Sequence, residues 1–174
     1  MRRRTMLRHM TAALLLPMLP LPVRAMGDDA SPPAPSDAQQ VSREAWRDLL
    51  PEDRYHILFE EGTEPGGSSP LDKEYGEGTY ICAACYQPLF SSADKFDSGT
   101  GWPSFTRPLD GAMDTKRDFR LIWPRTEYHC SNCGGHQGHV FNDGPPPTGQ
   151  RWCNNGLALE FVPAGQELPP LRTP

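Results

Sequence analysis

Five cysteines carry most of the chemistry available to this sequence. Four of them form two knuckles, Cys82-Ala-Ala-Cys85 and Cys130-Ser-Asn-Cys133-Gly134-Gly135. Two residues between cysteines let both thiolates face one ion from a tight turn, and two such turns complete a tetrahedral sulfur shell. Zinc suits the shell because it is soft enough for thiolate and redox-inert. With four protein sulfurs no coordination position stays open, so the expected role is structural. Gly134 stands where a positive φ is often required, whereas Tyr86 takes the corresponding place in the first knuckle. The knuckles lie farther apart than in compact zinc ribbons. Disulfides, or redox-active Cys-x-x-Cys pairs, are alternative readings of the same four residues.

The fifth cysteine, Cys153, is left over. Arg151 and Asn155 lie two residues to either side of it, so on a strand all three share one face. A guanidinium lowers a thiol pKa, and an asparagine donates hydrogen bonds. Upstream stands His136-Gln-Gly-His139, with Asp143 four residues further on. Imidazoles exchange protons near neutral pH. Together these residues could build a thiol–imidazole site, while a buried structural cysteine with satisfied histidines is the plain alternative. Gly99-Thr100-Gly101-Trp102-Pro103-Ser104-Phe105 adds aromatics between glycine turns, either as core or as the wall of an apolar pocket for a thioether-like side chain.

The elements that must position these residues are short. Twenty prolines and 16 glycines favour turns over long helices. Ser42 can cap a helix reaching Leu50, with Ala45, Trp46, Leu49 and Leu50 on one face. Pro51 suits the start of a second helix, Glu52 to Glu60. Gly62 to Gly78 reads as loop. Strands are expected at Gly78 to Cys82, Gln87 to Ser91, Phe119 to Trp123, Thr126 to Cys130, His139 to Phe141 and Leu157 to Val162. The fold class is therefore mainly β, a small antiparallel domain with short N-terminal helices and a zinc site.

At the amino terminus, Arg2, Arg3, Arg4 and Arg8 precede a short apolar run ending in Val23-Arg24-Ala25. Residues 1–25 read as an export signal, and Arg3-Arg4-Thr5-Met6-Leu7-Arg8 resembles the twin-arginine type, which implies the bacterial periplasm. The run is too short to span a bilayer, so no stable membrane insertion is expected. Residues 26–40 read as a flexible linker, 41–163 as the domain and 164–174 as a disordered tail. Cleavage would remove five of the 17 basic residues and none of the 22 acidic ones, leaving a net charge of −10. That charge disfavours nucleic acid as a partner.

The strings Cys82-Ala-Ala-Cys85, Lys95-Phe-Asp-Ser-Gly-Thr-Gly-Trp-Pro-Ser-Phe105, His129-Cys-Ser-Asn-Cys-Gly-Gly-His-Gln-Gly-His-Val-Phe-Asn-Asp143 and Arg151-Trp-Cys-Asn-Asn155 resemble the B-type methionine-R-sulfoxide reductases. The resemblance implies two small antiparallel sheets with N-terminal helices, and reduction of the R epimer of methionine sulfoxide, mostly within proteins. It makes Cys153 the nucleophile and Cys82, Cys85, Cys130 and Cys133 the ligands of one structural Zn2+. His136, His139, Asp143, Arg151 and Asn155 would surround the sulfoxide oxygen and the thiolate. Trp102 and Phe105 would bind substrate. A sulfenic acid on Cys153 would follow oxygen transfer.

Many members of that family carry a resolving cysteine where this chain has Thr100. With four thiols on zinc, no internal partner remains, and an external thioredoxin- or glutaredoxin-like thiol is the expected reductant. A monomer is expected. The competing readings are an exported zinc-knuckle module that binds protein without catalysis, and a zinc hydrolase using His136, His139 and Cys153 as ligands.

Overall fold

A computed structural model of the chain describes residues 43–120 and 124–174. The expected export segment 1–25, the linker 26–40 and the start of the domain at 41 lie outside the described residues.

Helix α1 spans 43–47 and α2 spans Glu52–Phe59. Pro51 precedes α2 as its cap, and Glu52 and Asp53 place negative charge at the positive end of the helix dipole. Tyr55, Ile57, Leu58 and Phe59 are buried. Trp46 is buried and stacks on Phe59 with centroids 5.9 Å apart, which fixes α1 against α2. The buried stripe of α1 is narrower than expected, because Ala45 and Leu49 face solvent.

Nine short strands form two antiparallel sheets among the described residues. The smaller has the order β2-β1-β9, from β1 (Gly78–Cys82), β2 (Pro88–Ser91) and β9 (Leu159–Pro163). The larger has the order β3-β4-β8-β7-β6-β5. Its members are β3 (Lys95–Phe96), β4 (Ser104–Phe105), β5 (Met113–Asp118), β6 (Arg125–Cys130), β7 (His136–Phe141) and β8 (Arg151–Asn154). Mainly β with short helices is thus the observed class. Aromatic rings join the sheets: Phe90 stacks on Phe105 at 4.1 Å, and Tyr80 meets the same ring edge-on at 4.9 Å. Tyr128 meets Trp152 edge-on at 4.8 Å. Such geometries suit ring quadrupoles as well as burial.

Three expected strands shift. The strand before β6 is Met113–Asp118, not Phe119 to Trp123. Met-Asp-Thr-Lys-Arg-Asp has no alternation because β5 is an edge strand, held by its pairing with β6. Phe119 is 65% exposed, and residues 121–123 lie outside the described set. β9 begins at Leu159, since Gly156–Ala158 forms a 3-10 turn first. β7 begins at His136 rather than His139.

The segment 164–174, expected to be disordered, contains no helix or strand but is tethered. Arg172 donates its backbone N–H to the Cys85 carbonyl at 2.9 Å. Its guanidinium donates to the carbonyls of Ala84 and Ala83 at 2.7 and 2.9 Å. The same cation lies 4.5 Å from the Tyr86 ring centroid and 5.6 Å from that of Trp46. One side chain therefore ties the first cysteine knuckle to α1. Arg172→Ala is expected to lower the melting temperature by about 3–8 °C, from about 1–2 kcal/mol of lost charged hydrogen bonds and stacking. Thermal denaturation checks this, and an unchanged midpoint would refute the tether.

Candidate active site and metal centre

The two knuckles have matching backbones. Tyr86 N–H donates to the Cys82 carbonyl at 2.9 Å, and Gly134 N–H to the Cys130 carbonyl at 2.8 Å. In return Cys82 N–H donates to Gln87 at 2.8 Å and Cys130 N–H to Gly135 at 2.9 Å. Both closing residues have left-handed φ, 65° at Tyr86 and 71° at Gly134. Tyr86 adopts this conformation at a cost of about 1 kcal/mol, with its ring under Arg172.

No disulfide joins the five cysteines: the paired knuckle sulfurs stand 3.6 and 3.7 Å apart, far beyond a sulfur–sulfur bond of about 2.05 Å, so the geometry favours a metal cluster over the disulfide reading. The four knuckle sulfurs lie within 4.8 Å of one another. Cys82 and Cys133 sulfurs are 3.7 Å apart, and those of Cys85 and Cys130 are 3.6 Å apart. Zinc–sulfur bonds of about 2.3 Å at tetrahedral angles put sulfurs about 3.8 Å apart, so the cluster fits such an ion. Three of the four residues are buried, which suits a closed structural site.

Cys153 sits apart from this cluster, half-buried on β8. Its Cα pairs with His139 on β7 and with Ser104 on β4. Directly paired residues on adjacent antiparallel strands project to one face about 5 Å apart. The neighbouring Phe141–Arg151 pair lies on the same face, with the guanidinium 4.4 Å from the ring centroid. Trp152 and Asn154 point the other way into the core, where Asn154 donates to Gln137 and accepts from the Tyr128 hydroxyl. Strand alternation therefore lifts Arg151 and Cys153 out of the core. Only glycine fits at 138, because a Cβ there would meet the Cys153 carbonyl at 1.9 Å.

Cys153, His139, Trp102, Thr100 and Arg151 line a cleft of about 280 Å3. The Trp102 indole donates to the Glu64 carbonyl at 3.1 Å. Arg151 forms two parallel bonds to Asp143, each 2.9 Å. Asp143 is 62% exposed and holds Arg151 from outside the cleft. Asn155 reaches the cleft edge, but its amide donates to the Gln137 carbonyl at 3.1 Å and its side-chain oxygen accepts from Glu64 N–H at 3.2 Å. His136 is buried behind His139, with ring centroids 5.5 Å apart and a 2.9 Å bond to Glu127. The two histidines share a side because β7 bulges between their pairing registers. The extra residue cancels the half-period that would otherwise separate positions three apart.

Phe105 is a correction. It is fully buried, stacked on Phe90, and paired across β4–β8 with the inward-facing Trp152. It builds the core and does not line the cleft. Asp118, Arg125, Glu127, Glu64 and Thr63 were missed. Asp118 bonds His139 at 2.8 Å and Arg125 at 2.7 Å, and Arg125 and Thr63 line the cleft. Among the described residues the four knuckle cysteines are the one cluster suited to a metal ion. Among the described residues His136, His139 and Cys153 do not bring their donor atoms together at ligand distances, so the geometry gives no support to a hydrolytic His–His–Cys site.

Electrostatics departs from the simple expectation for Cys153. Burial pushes its thiol above the ordinary range, and the Arg151 charge and Thr100 hydroxyl only partly offset this. Burial also pushes His139 below the usual imidazole range, against the pull of Asp118. Asp118 is itself raised by burial, but the Arg120 N–H, His139 and Arg125 outweigh that and hold it well below the carboxylate range. The resting pair is therefore a neutral thiol beside a neutral imidazole whose Nε2 proton faces an ionised Asp118. Iodoacetamide labelling of Cys153 should accelerate as pH rises above the ordinary thiol value, since only thiolate reacts. Arg151→Met removes the charge that lowers the pKa, so labelling at pH 8 should slow by about three- to tenfold. An unchanged rate would disconnect Arg151 from the thiol.

A single free thiol beside an imidazole, in a cleft walled by an indole and kept apart from a four-sulfur knuckle pair, defines a thiol oxidoreductase with a separate metal-type scaffold. A family model described as the SelR domain matches residues 50–163. The chain is 50% identical over 121 residues to peptide methionine sulfoxide reductase MsrB of Leptospira interrogans, covering 69% of this chain and 92% of the relative. It is 51% identical over 119 residues to the MsrB of Agrobacterium fabrum, covering 68% and 88%. It is 40% identical over 152 residues to the chloroplastic peptide methionine sulfoxide reductase B1 of Arabidopsis thaliana, covering 82% and 75%. The chain belongs to the B-type methionine-R-sulfoxide reductase family.

Proposed function

We propose that this chain is an exported peptide-methionine (R)-S-oxide reductase in which Cys153 takes the sulfoxide oxygen and an external thiol returns it as water. The observation that carries this is the direct cross-strand pairing of Cys153 with His139 in a cleft walled by Trp102, while the other four sulfurs gather elsewhere.

The neutral pair suffices for proton balance. Cys153 passes its proton to His139, and the thiolate attacks the sulfoxide sulfur. The proton moves from His139 to the oxygen, the oxygen passes to the Cys153 sulfur, and methionine leaves. Cys153 is then a sulfenic acid, oxidised by two electrons, and the substrate sulfur is reduced by two. Trp102 offers an apolar face to the substrate methyl group. Arg151, held by Asp143, keeps a positive charge beside the thiolate formed in the first step.

Thr100 places a hydroxyl, not a thiol, against Cys153. An external thioredoxin- or glutaredoxin-like thiol attacks the sulfenic acid, releasing water and forming a mixed disulfide. A second thiol resolves that disulfide and frees Cys153. Cys82, Cys85, Cys130 and Cys133 hold one structural Zn2+, which fixes the two knuckles and leaves the chemistry to Cys153. Residues 1–25 direct export, so recovery of a periplasmic form beginning at Met26 is expected on amino-terminal sequencing.

The deciding experiment measures reduction of separated methionine sulfoxide epimers with dithiothreitol, with zinc determined on the same sample. Turnover of the R epimer alone, with one zinc per chain, is expected. Failure on both epimers would sink the assignment. Mass spectrometry after a single turnover without reductant should show Cys153 as a sulfenic acid. An intramolecular disulfide there would overturn recycling by an external thiol.

A further inference from the structure

The cleft has two walls that come from different parts of the chain. Trp102 stands in the glycine-rich turn before β4, and Cys153 and Asn155 stand at the end of β8. One buried residue, Glu64, 3% exposed, contacts both. Its carbonyl accepts the Trp102 indole N–H at 3.1 Å. Its backbone N–H donates to the Asn155 side-chain oxygen at 3.2 Å. Its carboxylate accepts the N–H groups of Gly156 at 2.5 Å and Leu157 at 2.9 Å, the first residues of the turn that follows Asn155.

The surroundings close around that hub. A Cβ at Gly66 would lie 3.1 Å from the Trp102 ring, so the loop after Glu64 packs flat against the indole. Gly67 N–H donates to the Gly101 carbonyl at 2.7 Å, joining the same loop to the turn that carries Trp102. At Gly101 φ is 86°, and a Cβ would come within 2.8 Å of Gly67 N, so the two loops approach too closely for a side chain at 101. A Cβ at Gly156 would meet the Ser69 side chain at 2.0 Å and the Glu64 carboxylate at 3.1 Å.

Among the described residues the Glu64 carboxylate has no cationic partner; its partners are the two backbone N–H groups. Burying such a group is costly, and two oxygens bridging adjacent N–H groups is a geometry that a carboxylate alone supplies at this length. Aspartate is one methylene shorter, and glutamine has one accepting oxygen.

We propose that Glu64 is a positioning residue that fixes the spacing between the Trp102 wall and the Cys153–Asn155 wall, and thereby sets how tightly the methionine sulfoxide side chain is held. This deepens the proposed reductase activity and rests on it. Glu64 acts through Trp102 and Asn155 and touches no reacting atom.

The test uses the full chain carrying Glu64→Gln, which keeps shape and one acceptor, beside Glu64→Ala. For Glu64→Gln, KM for a methionine-R-sulfoxide peptide should rise about tenfold while kcat changes less than threefold. Cys153 alkylation by iodoacetamide should change at least threefold, a readout that needs no turnover. In a Trp102→Ala background the Glu64→Gln effect on KM should shrink to less than threefold, because its target is gone. A lower melting temperature with unchanged KM and unchanged alkylation would overturn the proposal and leave Glu64 a structural tie. If the parent chain reduces neither epimer, the activity assignment fails, and the alkylation rates alone decide whether Glu64 sets the cleft. Should Glu64→Ala fail to fold, Glu64→Gln carries the comparison.

Discussion

Cys153→Ser should lower turnover at least about 10^3-fold and leave zinc content and melting temperature within a few degrees of the parent. A hydroxyl at that position is a far weaker nucleophile than a thiol and has no route to a stable oxygen adduct. The fold should tolerate the change, because the side chain faces the cleft while Trp152 and Asn154 carry the inward packing of β8. Activity assays with dithiothreitol, run beside metal analysis and thermal melts, make the check. Retained turnover would end the assignment of Cys153. Lost activity accompanied by lost metal would mean that the sulfurs are not divided as described.

The second large effect comes from the other four sulfurs. Cys85→Ser should release the metal and cost more than about 5 kcal/mol, enough to leave much of the domain unfolded at 37 °C. Cys85 belongs to the knuckle joining β1 and β2, and Cys130 and Cys133 to the knuckle joining β6 and β7, so the cluster ties both sheets together. The damage should also reach the cleft. Gln137 donates to the Cys82 sulfur at 3.5 Å and accepts from Asn154 at 3.2 Å, next to Cys153. Strong chelation of the parent chain should therefore abolish both the cooperative melt and the activity. A metal-free chain that melts and turns over as before would show that the knuckles are held by packing alone.

Much of this was legible from spacing, because cysteine knuckles and a leftover thiol depend on residue type and short offsets. The sharing of one strand face by Arg151 and Cys153 follows from the same period of two. What stayed hidden depends on register between distant strands. Asp118 and Glu127 look like ordinary charges in charged strands, and only pairing with Arg125 and with β7 makes them histidine partners. The bulge that puts His136 beside His139 leaves no mark in the string His-Gln-Gly-His. Phe105 was misplaced because a Trp and a Phe in one glycine-rich turn look equivalent. The strand pairing of β4 sends Phe105 inward, while Trp102, before that strand, stays at the cleft. The rise in the Cys153 pKa was also unreadable, since burial outweighs the adjacent arginine.

The family match stops at residue 163, yet the arginine that caps the first knuckle stands nine positions later. Anyone trimming an expression clone to the boundary of the family match would delete the clasp along with the apparent surplus. An affinity tag fused close behind Arg172, by contrast, would crowd the side of the molecule where the sulfurs are gathered. Purification handles are better placed at the amino-terminal side of the domain than directly behind this clasp.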